Sequence, residues 1–426
     1  MEWKMVAALL AAYGLLKETR PSETFITSFL TGPDKNFTSE QVNQEIYPVS
    51  TYSMLALLVV IFLVTDWLRY KPIIVLQSVS AVATYSIIAW GQGVPLMQFM
   101  EVLYGLMWAA DVAYFTYMYA KVDRAHYGTV SATARVGYLL GRFSSGVLSQ
   151  LAVSLNFMSL LGLQFVTIGT AAVSTVFALA LPTVSTSFYF HRKATTEPQA
   201  AEPKPSLAAV VRLLWADFRD AFRQRAVIKW SVWWALAVGG YMMVASYCQI
   251  LWKDTLDGNK KEATMWNGAV EAVYTLLGAG AVWLTTRKTD YSAWGDALIG
   301  MWSLASGGIM ILAAVSRSMA VQYAVHIVFG TTYHAAVTVA SSEVAKRVRE
   351  DAHALVFGFN TLGAYVLQTV LTVAVAGEGG LELNIREQFV VYGCYFLVIG
   401  AAFLAVALFG LLSRCRGTRK MDVPAV

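Results

Sequence analysis

Asp111 has the neighbours that chemistry needs. It lies within a long apolar stretch, residues 96–120, with Trp108 at i−3, Tyr104 at i−7 and Tyr114 at i+3. At helical spacing these residues share one face, a carboxylate with rings above and below it. A carboxylate attracts a cation and an aromatic face adds its quadrupole, so the face suits an organic cation. Arg135 and Arg142 stand seven apart, on one side of a later stretch, and offer the opposite chemistry. They are either counter-ions that close a salt bridge on Asp111 or an anion site. The residues alone leave both readings open.

Two further acids sit in apolar surroundings. Glu23 follows Lys17, Glu18, Arg20 and Pro21. The apolar run before that cluster, residues 5–16, rises only about 18 Å, against a hydrocarbon core of roughly 30 Å. The helix must therefore continue past a break at Pro21, which lacks a backbone donor, and Glu23 is expected to face a cavity. Glu271 lies in the segment WNGAVEA, in the outer half of its stretch, whereas Glu101 is nearer an outer end and is expected at the interface. A charge at the bilayer centre costs at least about 2.5–3.5 kcal/mol, so embedded acids of this kind pair with each other's counter-ions or line a path. His326 and His334 are the residues of the last six stretches able to carry positive charge, and both read as packing.

The chemistry absent from the sequence is equally informative. There is no Gly-rich phosphate loop, no zinc-type His pair and no Gly-x-Ser-x-Gly elbow, so enzymatic, cofactor and metal roles are not expected. Cys248, Cys394 and Cys415 fit no metal or redox spacing. The basic residues are spread along the chain and form no patch for nucleic acid.

The elements that hold these residues follow from composition. Of 426 residues, 57% are hydrophobic and 14% charged, where a soluble domain carries about 25% charge; mean hydropathy is +0.53. The solvent is a lipid bilayer, and the 13% of aromatic residues suit its interfaces. Twelve apolar stretches start near Lys4, Ser50, Ile73, Pro95, His126, Met158, Ile228, Ala263, Ala293, Met319, His353 and Ile385. With the N-terminus inside, 22 of the 32 Lys and Arg fall in inner segments, 6 in outer loops and 4 within spans, which places both termini in the cytoplasm. No cleavable signal peptide is evident. The sequon Asn36-Phe37-Thr38 then lies outside, where a glycan would be added. Residues 1–182 form one six-helix bundle and 228–414 a second, followed by a cytoplasmic tail, 415–426. Between the bundles, residues 183–227 form a cytoplasmic linker. Leu207, Val210, Val211, Leu214, Phe218 and Phe222 recur there at helical spacing among arginines, and predict a basic amphipathic helix on the inner leaflet. The expectation is an all-α transporter of two helical halves. A polytopic receptor or channel is the rival class, disfavoured because no ring or filter of pore-lining charge is visible.

Several segments resemble a known family. RPSETF (from Arg20), GPDKNFT (from Gly32), QEIYPV (from Gln44), TDWLRYKP (from Thr65), QILW (from Gln249), NGAVEA (from Asn267) and ALVFGFNT (from Ala354) are similar, in order and spacing, to the vitamin carriers that comprise the reduced folate carrier and the thiamine transporters. TDWLRYKP also resembles the loop after the second span in the major facilitator superfamily. The resemblance implies that fold: twelve transmembrane helices in two six-helix bundles that alternate access to a central site, in the plasma membrane. It also bears on the substrate. Folate carriers have arginine at the place of Asp111, and basic residues at the places of Gly330 and Gln368; thiamine transporters have an acid at the first. Glu23 matches an acid of both branches, Tyr47 an aromatic of the thiamine branch, and Glu271 a segment closer to that branch. Ser50 stands where thiamine members carry a stacking Trp, and Arg142 is an added charge relative to both. The resemblance thus favours uptake of thiamine, a cation with two aromatic rings, at Glu23, Tyr47, Tyr104, Trp108, Asp111, Tyr114 and Glu271. A reduced folate held by Arg135 and Arg142 is the alternative.

Overall fold

The computed structural model describes residues 3–123, 126–184, 207–258, 265–286, 291, 294–348, 353–376 and 380–421. Along the chain run α1 (Trp3–Glu18), a 3₁₀ turn (Glu23–Phe25), α2 (Ile26–Thr31), a wide turn (Gln41–Ile46) leading into α3 (Tyr47–Leu68), α4 (Lys71–Trp90), α5 (Val94–Ala109), α6 (Asp111–Lys121), α7 (Tyr127–Ser154) and α8 (Leu160–Ala180). The linker contributes α9 (Leu207–Ala221). Then follow α10 (Arg225–Gly258), α11 (Asn267–Thr286), α12 (Gly295–Val315), α13 (Met319–Ala345), α14 (His353–Val375) and α15 (Ile385–Met421).

Prolines open α3, α4 and α5 in their first turn, where a missing N–H costs nothing. The turn between α3 and α4 uses Arg69 and Tyr70, both at positive φ, and the buried Tyr70 donates to Asp66. Ser159 caps α8 by accepting from the Gly162 N–H.

Eight described helices are long and apolar enough to cross a membrane. They are α3, α4, α8, α10, α11, α12, α14 and α15. The other expected spans fall on α1 with α2, on α5 with α6, on α7 and on α13. These are the interrupted or polar ones: α1 and α5 have 16 residues each and α6 has 11, while α7 carries two arginines and α13 two histidines. The departures from a uniform apolar span lie where the candidate site residues lie. Large apolar side chains such as Val176, Leu284, Val398 and Phe409 are exposed on the helix faces, as a lipid-facing surface requires.

The last helix continues through Met421, into the segment read as the tail. The amphipathic helix of the linker is present as α9, and its Phe218 packs on Phe359 of α14 with ring centroids 4.3 Å apart, so this face docks on the second half. Residues 185–206 and 422–426 lie outside the described residues.

The two halves meet where α7 crosses α11 and where α3 packs on α14. A Cβ on Gly268 would stand 2.6 Å from the Gly146 carbonyl oxygen and 2.8 Å from the Gln150 nitrogen, so backbone meets backbone there. Gln150 also donates to the Met265 carbonyl and accepts from the Ala269 N–H. Beside this contact, Gln249 of α10 bridges to the first half, donating to the Glu23 carbonyl at 2.7 Å. All these residues lie at the ends of their helices that the charge pattern places outside.

Candidate central binding site

The break predicted in the first span is real and has a clear anatomy. α1 stops at Glu18, the chain turns through Thr19 to Ser22, and helix resumes after Phe25. That interruption frees four charged side chains, Lys17, Glu18, Arg20 and Glu23, to converge with Asp111. Lys17 donates to Asp111 at 2.6 Å and to Glu18 at 2.9 Å. Arg20 bonds Glu18 at 2.7 Å and Glu23 at 2.9 Å, and its guanidinium lies over Trp108, 5.2 Å from the ring centroid. Tyr85 of α4 donates to Glu23 at 2.5 Å. The result is a run of alternating charge, Asp111–Lys17–Glu18–Arg20–Glu23. Buried ions are tolerable when each has an opposite neighbour and further hydrogen bonds. Only Glu23 keeps much of its carboxylate accessible, at 27% against 2% for Glu18.

Asp111 owes its place to a second interruption. The helix through this stretch breaks at Ala110, and Asp111 opens α6, where the N-terminal dipole favours a carboxylate. It accepts from Gln77, which also donates to the Met107 carbonyl and accepts from the buried Tyr13 hydroxyl. The salt-bridge alternative read from sequence is therefore met by a different partner: Asp111 pairs with Lys17, not with Arg135 or Arg142. Lys17, Glu18, Arg20, Gln77, Tyr85, Trp108 and Asp111 line one cavity.

The expected aromatic wall is divided, since Tyr114 follows Trp108 by six positions, about 120° round a helix. Tyr104 and Trp108 stay together on α5, edge to face at 6.2 Å. Tyr47 hydrogen-bonds Thr27 at 2.9 Å and meets Tyr247 edge-on. Tyr114 is on the far side: it is buried between α6, α1 and α7, donates to the Leu10 carbonyl, and turns its ring to the Lys17 ammonium at 5.0 Å. It belongs to helix packing around Lys17 and does not join Tyr104 and Trp108.

The added charge Arg142 finds its reason in the other half. It bonds Glu271 through Nε at 2.9 Å and Nη2 at 2.5 Å, and donates to the Tyr274 hydroxyl at 2.8 Å. This ion pair joins α7 to α11, next to the Gly146–Gly268 crossing. Arg135 is exposed, with its guanidinium over the Tyr138 ring, and has no carboxylate partner among the described residues. Glu101 is buried at 5% exposure, not interfacial as expected. His326 packs edge-on between Trp252 and Tyr274, and His334 stacks on Tyr274, so both serve packing as read. Gly330 faces the Tyr274 ring, where a Cβ would come within 2.7 Å, and Gln368 is buried beside Thr51. Asn36 is exposed in the loop that follows α2.

Tyr85, Gln77, Gln249, Tyr138 and Tyr274 escaped the reading of the sequence. They are neutral residues in apolar helices, and only the partner each one meets sets it apart. Lys17, Glu18 and Arg20 did carry a signal, three charges against a proline inside a span.

A model of the family described as "Reduced folate carrier" matches residues 1–391. The chain belongs to that family. Among its relatives, human "Thiamine transporter 1" is 36% identical, covering 97% of this chain and 91% of the relative. Human "Reduced folate transporter" is 35% identical, covering 99% and 75%, and "Folate transporter 1" of Caenorhabditis elegans is 33% identical, covering 97% and 94%. The fold of this reduced folate carrier relative is also that of solved transporters. The POT family transporter PepTSo superposes with TM-score 0.66 at 12% identity, over 96% of this chain and 99% of that one. The nucleoside transporter NupG superposes with TM-score 0.60 at 14% identity, over 95% and 99%. The protein is thus an all-α, multi-pass membrane protein of the major facilitator fold, and its family is one of carriers, not enzymes.

Proposed function

We propose that this vitamin carrier moves thiamine into cells across the plasma membrane by alternating access, with both termini in the cytoplasm. The observation that carries the reading is the sign of the charge in the ion-pair cluster of the first span: Asp111, Glu18 and Glu23 stand against Lys17 and Arg20. Three acids against two bases leave an excess negative charge, which a monovalent cation neutralises and a dianion aggravates. Tyr104 and Trp108, with Tyr47 nearby on α3, supply faces for the two rings of thiamine. Glu23, the most accessible of the acids, would take the cation first. Glu271, already joined to Arg142, would act on the closure of the two halves.

A specific observation favours a second reading, a reduced folate carrier. Asp111 and Glu271 are each neutralised by a basic residue of the chain, and the exposed Arg135 has no carboxylate partner among the described residues. Labelled uptake in cells expressing the protein decides between them, with thiamine and a reduced folate compared at equal surface expression. Saturable thiamine uptake without folate uptake is expected. Folate uptake without thiamine uptake overturns the assignment.

A further inference from the structure

We propose that the place now held by Lys17 is a cation seat of the transport cycle, and that Lys17 is its resident, shifting to Glu18 when a substrate's own cation enters. The proposal deepens the function above and rests on the reading that the cavity takes an organic cation.

The seat has the composition of a site for a ligand cation. The Lys17 ammonium touches the Asp111 carboxylate at 2.6 Å and is ringed by Tyr114, Phe115 and Tyr138 at 5.0, 5.8 and 5.4 Å from the centroids. A carboxylate and several aromatic faces around one positive charge are the arrangement that recognises quaternary and aromatic cations. Asp111 is also held without Lys17, since Gln77 donates to it and is itself fixed by Met107 and Tyr13. The carboxylate therefore stays in place when its partner leaves.

Lys17 has somewhere to go. Its ammonium already touches Glu18 at 2.9 Å, so a shift from one carboxylate to the other exposes no bare charge at any point. Lysine suits such a shift, being a point charge on a flexible four-carbon stem. Arg20 does not, because Glu18, Glu23 and the Trp108 ring fix its planar head on three sides. Lys17, Glu18 and Asp111 all line the cavity that Trp108 and Tyr85 border, so the resident ammonium and both carboxylates face one space. The resident cation keeps the empty carrier from holding a bare buried carboxylate. It also makes any substrate compete for Asp111, which lowers affinity and favours release.

The test is the affinity of purified carrier for two probes, thiamine and tetramethylammonium, measured by thermal stabilisation. Lys17→Met should bind both at least about fivefold more tightly, the lower end of typical coupling between sites. Lys17→Arg, which keeps the charge, should gain no affinity, and adding Asp111→Asn to Lys17→Met should remove the gain. Should Lys17→Met fold poorly, Lys17→Cys carries the same comparison. Modification with an aminoethyl thiosulfonate restores an ammonium and should return affinity to the natural level, while a neutral methyl reagent should leave it raised. A folded Lys17→Met or neutral-modified Cys variant that binds neither probe more tightly overturns the proposal, as does a gain that survives Asp111→Asn. Absence of thiamine uptake by the natural protein would count against the proposed function. The tetramethylammonium result judges the seat by itself.

Discussion

The crossing of α7 and α11 gives the sharpest prediction, because it is closed by backbone. In Gly268→Ala the new methyl group would lie 2.5 Å from the Ser149 hydroxyl, 2.6 Å from the Gly146 carbonyl oxygen and 2.8 Å from the Gln150 nitrogen. The hydroxyl can rotate away, but the two backbone atoms cannot. Restoring ordinary contact requires the helices to part by nearly an ångström, and overpacking of this kind costs about 1–3 kcal/mol. The strain exists only while the outer ends are joined. It therefore shifts the carrier toward the state with those ends apart, by about 5- to 150-fold, since 1.4 kcal/mol is tenfold. Cys248 is a native reporter: it is buried on α10 one position before Gln249, which ties that helix to the first half. With Cys394 and Cys415 replaced by Ser, a membrane-impermeant maleimide applied outside should label Cys248 faster in Gly268→Ala by that factor, and maximal uptake should fall. Labelling and uptake equal to the parent, at equal surface expression, would refute the claim that this contact closes the outer side.

Three further outcomes are expected. Asp111→Asn should reduce thiamine uptake by about 10- to 150-fold at normal surface level, the range for losing a charged hydrogen bond of 1.5–3 kcal/mol; unchanged uptake would leave Asp111 a structural partner of Lys17 only. Arg142→Met removes the cation that joins Glu271 across the two halves and should lower the melting temperature in detergent, by less than the 3–5 kcal/mol of a fully buried pair because both side chains are about a fifth exposed. The exchanged pair Arg142→Glu with Glu271→Arg should recover part of the loss, and no recovery would argue against direct pairing. Asn36→Gln should remove a glycan-sized mass shift in a eukaryotic host; an identical mobility before and after glycosidase treatment of the natural protein would count against an outward, glycosylated first loop.

Hydropathy and the position of Lys and Arg are one-dimensional quantities, and the bilayer imposes them span by span. That is why the α-helical class and the two halves were legible without coordinates. So was the break in the first span, since twelve or so apolar residues cannot cross roughly 30 Å of hydrocarbon. The interruption at Ala110 left no such mark, since no proline or glycine announces it; Tyr114, six positions after Trp108, lies about 120° round the helix and so leaves the face that Tyr104 and Trp108 share. Pairing was the other hidden quantity. Asp111 and Arg142 lie 31 positions apart in sequence and seemed natural partners, yet each is bonded to a residue far away along the chain, Lys17 and Glu271.

The sequence by itself thus determined which charges enter the membrane, because each ion in hydrocarbon is conspicuous by its cost. Only the tertiary structure decided which of them neutralise each other. An ion pair forms wherever helices bring opposite charges within a few ångströms, and spacing along the chain does not set that distance. Here that distance seats Lys17 on Asp111 and Arg142 on Glu271, and leaves Glu23 as the most accessible acid of the first-span cluster.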